Sequence, residues 1–382
     1  MVDISKLLCG QNAYGDQLRY SESSHRRPVV VWNTTQRCNL RCVHCYASAG
    51  DGHYPGELTT AEGRALIEDL AQYGAPVLLF SGGEPTMRED LVELLTLATA
   101  RGLRAVISTN GTHITPDMAR DMKRAGVVYV GVSLDGVGET HDRFRGKKGA
   151  FQEALSGLAN AREAGLRTGI RFTITRFNNS YVAEIFRLLE EEAIDRLCLY
   201  HLVYAGRGSH LVSWDLTPEE RRTTMDLILD RTADLHRRGL DKDILTVDNH
   251  ADGIYLYLKV ARKDPRRAQE VYSLLERNGG NSSGLGISAV DALGRVHPDQ
   301  FWGHYDLGSI RERPFSQIWK DTSDPLLAGL RDRKGRIGGR CAGCRHFAVC
   351  GGNFRVRAEA MHGDVWAADP ACYLTDEEIG VA

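Results

Sequence analysis

Nine cysteines in 382 residues fall into a pattern. Cys38, Cys42 and Cys45 sit in one short segment, Thr35 to Tyr46, and Cys341, Cys344, Cys350 and Cys372 gather near the other end, leaving Cys9 and Cys198 alone. Thiolates are soft ligands that select iron–sulfur clusters or zinc. A structural zinc site takes four protein ligands, whereas a [4Fe-4S] cluster held by three leaves one iron free for a substrate or cosubstrate. The C-x3-C-x2-C group therefore has the count for chemistry. The C-x2-C-x5-C group with Cys372 completes a closed tetrathiolate site, either zinc or iron–sulfur, and composition does not separate the two. A disulfide framework is the competing use. The first ten residues are too short in their apolar run and too polar to read as a signal peptide, and no apolar stretch approaches the eighteen or so residues of a spanning helix. A cytoplasmic chain with reduced, metal-binding thiols is the expectation. Cys198 lies in an apolar run and reads as a small core hydrophobe, and Cys9 as packing.

The elements that would position these groups show in the periodicity. Short apolar runs at 28–32, 77–80, 104–108, 127–133, 168–173 and 196–200 alternate with helical patterns at 60–73, 89–101, 116–125, 151–164 and 181–192. Six strand and helix units imply a parallel sheet with right-handed crossovers, and about six units is short of a closed eight-unit barrel. The predicted fold is α/β, a partial (β/α)6 barrel over 28–206, preceded by an extension over 1–27. A helical connecting region is predicted over 207–280, with helices at 217–238, 251–263 and 265–277. A cluster-bearing domain is predicted over 281–382, opening on a hairpin at 287–290 and 294–297. Lys+Arg 48 against Asp+Glu 50 gives a net charge of -2, which disfavours a polyanion-binding surface, so no nucleic acid and no membrane partner is expected. Hydrophobic content of 42% and charged content of 26% are ordinary for a globular protein.

The C-x3-C-x2-C segment directly after the first strand resembles the radical S-adenosylmethionine family. Ser81 to Pro85 resembles its GGEP segment, and Ser108 to Thr112 and Val132 to Gly136 follow the third and fourth strands. Singly each is a common βα turn; in series behind the cysteines they carry the resemblance. It implies a [4Fe-4S] cluster on Cys38, Cys42 and Cys45 with S-adenosylmethionine on the open iron, reductively cleaved to a 5'-deoxyadenosyl radical. A reductant such as flavodoxin or ferredoxin would supply the electron. The resemblance places Gly82, Gly83 and Glu84 at the methionine, with Glu84 pairing its ammonium, and makes Asn110, Ser133 and Asp135 cofactor contacts. It puts His44 near the adenine. Arg171 would bind the cofactor carboxylate or pair with a buried protein carboxylate.

The C-terminal spacing resembles the SPASM or twitch type of auxiliary-cluster domain. The departures are Phe354 where that domain has a further cysteine, and no cysteine at Asn281, Ser282, Ser283 or in Gly294 to Asp299. The resemblance then implies one auxiliary [4Fe-4S] cluster on Cys341, Cys344, Cys350 and Cys372, with zinc as the rival. Segments across the chain, among them Pro28 to Asn33, His201 to Gly208, Asp248 to Gly253 and Asp369 to Leu374, resemble the enzymes that trim acidic side chains from sirohaem-derived tetrapyrroles. Ile4 to Gly10 looks more like the haem-pathway member, which removes acetates from 12,18-didecarboxysirohaem to give iron-coproporphyrin III, than like the haem d1 member, which removes propionates. An iron tetrapyrrole carries carboxylates for Arg207, Arg355 and Arg357 and an iron for an axial histidine or a nearby proton donor, with His201, His250, His297 and His304 as candidates. A peptide-modifying radical enzyme and a non-catalytic zinc-stabilised binding protein are the other readings.

Overall fold

The apolar runs become the strands that carry the site. The computed structural model describes residues 1–12, 15–20 and 27–381, so residues 13, 14 and 21–26 of the predicted N-terminal extension lie outside it. Among the described residues ten strands form one sheet: β1 (Val2–Asp3), β2 (Val29–Asn33), β3 (Val77–Ser81), β4 (Arg104–Thr109), β5 (Tyr129–Ser133), β6 (Thr168–Ile174), β7 (Arg196–His201), β8 (Asp243–Val247), β9 (Ile287–Val290) and β10 (Val296–His297). Their order across the sheet is β1-β8-β7-β6-β5-β4-β3-β2-β9-β10. The six predicted strands are β2 to β7, adjacent and parallel.

Between these strands run helices whose buried positions repeat at helical spacing. In Thr60–Tyr73 these are Gly63, Leu66, Ile67 and Leu70. Thr59 starts that helix in a capping box with Glu62, and Thr217 and Glu220 start Pro218–Arg237 in the same way. A side chain at Gly63 would meet the Trp32 ring at 2.7 Å, so the missing Cβ sets how closely the helix lies on β2.

The sheet differs from the sequence expectation at both edges. The segment 207–280, predicted as helices alone, also contains β8, whose five residues are all buried and pair in parallel with β7. The predicted hairpin is present as β9 and β10, but β9 also pairs in parallel with β2. Eight parallel strands therefore run side by side, flanked by antiparallel β1 and β10. A short run buried on both faces carries no alternation that would reveal its partner, and the sequence pattern therefore shows neither pairing.

The C-terminal segment is pinned to the strand tips by a buried ion pair. Arg357 donates from Nε and Nη2 to the Asp369 carboxylate at 2.8 Å each, from Nη1 to the Leu202 carbonyl at 3.0 Å and from Nη2 to the Asp248 carbonyl at 2.8 Å. Leu202 and Asp248 directly follow β7 and β8. No helix among the described residues is long and apolar enough to cross a membrane.

Candidate functional site

The loop after β2 carries Cys38, Cys42 and Cys45, and all three line a cavity of about 150 Å³ at the C-terminal ends of the strands. The loop is fastened by its backbone. Cys38 N donates to the Gly50 carbonyl at 2.8 Å, Gly83 N to Thr35 at 2.6 Å, Glu84 N to Arg37 at 2.8 Å and Val43 N to Phe144 at 2.9 Å. Gly82 adopts φ +129°, and a Cβ on Gly83 would collide with the Arg37 carbonyl, so the glycine pair lets the β3 turn press against the cysteine loop. From the other side Arg207 donates to the carbonyls of Cys42 at 2.7 Å and Ala49 at 2.8 Å. Burial pushes the Cys38 thiol up to about 12 and also raises Cys42, where the Arg145 guanidinium opposes it. All nine cysteines are free. Three free thiols facing one cavity, Cys38 and Cys42 buried and Cys45 half-buried, fit a bound iron–sulfur cluster, whose positive iron is what would keep them ionised.

The residues at the strand ends divide into cavity wall and support. Gly82, Gly83, Asn110, Ser133 and Arg171 line the cavity. Glu84 and Asp135 are not among the lining residues, and both are fully buried. The Glu84 carboxylate accepts from Thr86 N at 3.1 Å, Thr86 Oγ1 and Thr109 Oγ1 at 2.6 Å each, and Asn110 N at 2.7 Å, tying the β3 turn to the β4 turn. Its partners in the structure are protein groups of the two turns. Asp135 accepts from Thr173 N at 2.8 Å, lies 3.2 Å from His44 Nε2, and pairs with Arg145, whose Nη1 is 3.5 Å from Cys42 Sγ. Burial alone would raise the Asp135 carboxyl; Arg145 and His44 outweigh it and hold it below the usual carboxylate range. Asp135, behind the cavity wall, holds Arg145 against Cys42. Sequence reasoning passed over Arg145, which lies nine residues beyond the Val132 to Gly136 turn and reaches back to it only in the fold.

A family model described as the Radical SAM superfamily matches residues 32–189. The chain is 58% identical over 395 residues to Fe-coproporphyrin III synthase of Methanosarcina barkeri, covering 100% of this chain and 99% of that protein. It is 44% identical over 359 residues to pre-heme d1 synthase of Dinoroseobacter shibae, covering 93% of this chain and 88% of that protein. The chain belongs to the radical SAM superfamily. The fold agrees: Streptococcus suis SuiB bound to precursor peptide SuiA superposes with a TM-score of 0.71 at 17% identity, covering 91% of this chain and 76% of that one.

As a radical SAM enzyme the protein binds S-adenosylmethionine and a cluster of the radical SAM type, and a cation in the cavity matters for it. Arg171 lies on β6 with its guanidinium 4.6 Å from the Tyr200 ring, and among the described residues no carboxylate pairs with it. The other proposed carboxylate partners are engaged by the protein. Arg207 holds the cysteine loop, Arg355 donates to the Val365, Ala367 and Gly352 carbonyls, and Arg357 pairs with Asp369. Arg355 and Arg357 are fully buried and line neither this cavity nor the larger one beside it, so the reading of both as tetrapyrrole carboxylate ligands is overturned.

That second cavity, of about 650 Å³, adjoins the first, the two sharing Tyr46, Gln300 and Phe301. The four candidate histidines are dispersed. His201 lines the first cavity, with Nε2 2.9 Å from Asp252 Oδ2. His297 and His304 line the second. His297 Nδ1 is 2.7 Å from the Tyr305 carbonyl, and His304 Nε2 is 2.8 Å from Glu359 while its ring stacks on Trp302. His250 is buried and lines neither cavity.

Cys341, Cys344, Cys350 and Cys372 come from the short helical turns and loops of the C-terminal segment. Burial raises the Cys350 thiol most, and the neighbouring Cys372, Cys341 and Cys344 raise it further, so the four thiols share one neighbourhood. Among the described residues no three such side chains close tightly enough to hold a single metal ion.

Proposed function

We propose that this radical SAM enzyme removes the acetate side chains of 12,18-didecarboxysirohaem to give iron-coproporphyrin III. The observation that carries the reading is the end-to-end 58% identity with Fe-coproporphyrin III synthase, against 44% with pre-heme d1 synthase. Cys38, Cys42 and Cys45 hold the cluster; S-adenosylmethionine bound there supplies the radical that removes a hydrogen atom from substrate. Gly82, Gly83, Asn110 and Ser133 shape the cofactor side of the cavity, and Arg171 takes the cofactor carboxylate as a bidentate partner. The second cavity takes the tetrapyrrole, with His297 and His304 on its wall. Residues 281–382 form an auxiliary domain whose four cysteines bind a second [4Fe-4S] cluster for the electron that remains after side-chain loss. A low-potential carrier such as flavodoxin or ferredoxin serves as reductant.

The test is anaerobic incubation of the reconstituted enzyme with didecarboxysirohaem, reductant and S-adenosylmethionine, followed by mass analysis. Loss of two acetates supports the proposal. Loss of propionate reassigns the enzyme to the haem d1 reaction, and turnover of a peptide without tetrapyrrole binding overturns it.

A further inference from the structure

Releasing a side chain as acetate requires a proton as well as an electron. Resting on the acetate-removal reading, the balance is simple. Once a hydrogen atom has been taken from the tetrapyrrole, the bond from ring carbon to CH2COO⁻ breaks homolytically and a ring double bond forms. The departing CH2COO⁻ radical then needs one electron from a low-potential iron–sulfur donor and one proton to leave as CH3COO⁻. The protein must hold an acid near the reacting carbon and away from bulk water.

Most titratable groups lining the first cavity, where the radical arises, fail as that acid. Arg145 is paired with Asp135, Arg171 remains charged, and burial pushes the Tyr46 hydroxyl up to about 12 and Tyr200 well above its ordinary value. His201 is tied through Nε2 to Asp252, whose other oxygen accepts from Tyr373 at 2.8 Å. Asp248 remains. It is the one carboxyl among the described residues that line this cavity, and its side chain makes no hydrogen bond or ion pair with a described residue. It directly follows β8 with φ 67°, a left-handed conformation uncommon for non-glycine residues and more accessible to aspartate than to most. Arg357, paired to Asp369, grips the Asp248 carbonyl and holds the turn in place. The turn thus sets an unpartnered, buried carboxyl on the cavity wall and fixes it there.

We infer that Asp248 is the catalytic acid that delivers the proton to the departing acetate fragment. Its surroundings suit proton delivery near neutral pH. Burial, with Asp299 adding to it and the Met1 amino group, Arg357 and His201 opposing, raises its carboxyl to about 7. Tyr200, which also senses Asp248, is uncharged at that pH.

Asp248→Asn keeps the shape and removes the proton. In single-turnover reactions of the reconstituted enzyme, it should release acetate about 100-fold more slowly or worse. Tetrapyrrole binding, read from the Soret band, and 5'-deoxyadenosine formation should persist. Asp248→Glu should recover part of the rate. Wild-type acetate release should fall as pH rises through about 7, and that limb should be absent in Asp248→Asn. Acetate release by Asp248→Asn at the wild-type rate overturns the inference. Loss of binding and of 5'-deoxyadenosine in step with acetate assigns Asp248 to architecture and overturns it too. If the wild-type enzyme itself releases no acetate, what fails is the underlying reading of the reaction.

Discussion

Arg357 and Asp369 are each 0% exposed, so their pair gives the sharpest test of what holds the C-terminal segment to the strand tips. Asp369→Asn leaves the guanidinium buried without its counter-charge. Breaking a buried pair from one side costs about 3–5 kcal/mol. The unfolding entropy of 382 residues, at roughly 2.1 cal/mol/K per residue, is about 0.8 kcal/mol/K. A loss of about 4 kcal/mol then lowers the unfolding midpoint by about 5 °C, readable by scanning calorimetry on anaerobically purified holoprotein. The double variant Arg357→Met with Asp369→Leu removes both charges and should cost far less than the two single changes together. Burial alone would raise the Asp369 carboxyl, but Arg357 outweighs it and holds the group below the carboxylate range. The stabilisation is therefore complete above the unfolded value near 4 and is lost as pH falls through the lower folded value. As an exposed control, Arg120→Ala, whose partner Asp117 is 86% exposed, should move the midpoint by under about 1 °C. An Asp369→Asn midpoint within about 1 °C of wild type, or additive single effects, would refute the account.

Three further outcomes are expected. Cys372→Ser should lower the iron content of reconstituted protein from about eight to about four per chain, whereas zinc at the C-terminal site would leave iron unchanged and release zinc on chelation. Gly83→Ala should push the β3 turn off the Arg37 carbonyl and loosen the cysteine loop; the check is loss of the first cluster's electron paramagnetic resonance signal with overall stability kept within a few degrees. Asp248 has a folded value raised from 3.8 to about 7, so the folded protein binds the extra proton between those values and loses stability as pH rises through them. Between about pH 5 and pH 8 the wild type should therefore lose roughly 3 kcal/mol relative to Asp248→Asn, about 3 °C in the midpoint. A pH-independent difference would contradict the assignment.

Cysteine spacing and strand alternation were legible because each is local: C-x3-C-x2-C and an apolar run between caps need no knowledge of partners. The helix over Thr60–Tyr73 matches its sequence pattern end to end for that reason. What was not legible is long-range. The run Asp243–Val247 could join either edge of a sheet, and only the packed structure assigns it to β7. An arginine near the C-terminus looks the same in sequence whether it meets a substrate carboxylate or, as Arg357 does, the buried Asp369. Asp248 was visible only as part of a segment: Asp-Asn after a strand allows a left-handed turn, but nothing local signals that a distant guanidinium grips it.

The parallel pairing of β9 with β2 makes the barrel and the β9–β10 hairpin one hydrogen-bonded sheet, with no hinge of free chain between β9 and the barrel. The second thiol group is tied to that frame by Asn281 N, which donates to the Cys350 carbonyl at 3.2 Å, and by Arg357 on the Leu202 and Asp248 carbonyls, so packing holds the two thiol groups in one arrangement. An electron passing between them would tunnel across a fixed gap, at a rate governed by driving force and insensitive to solvent viscosity.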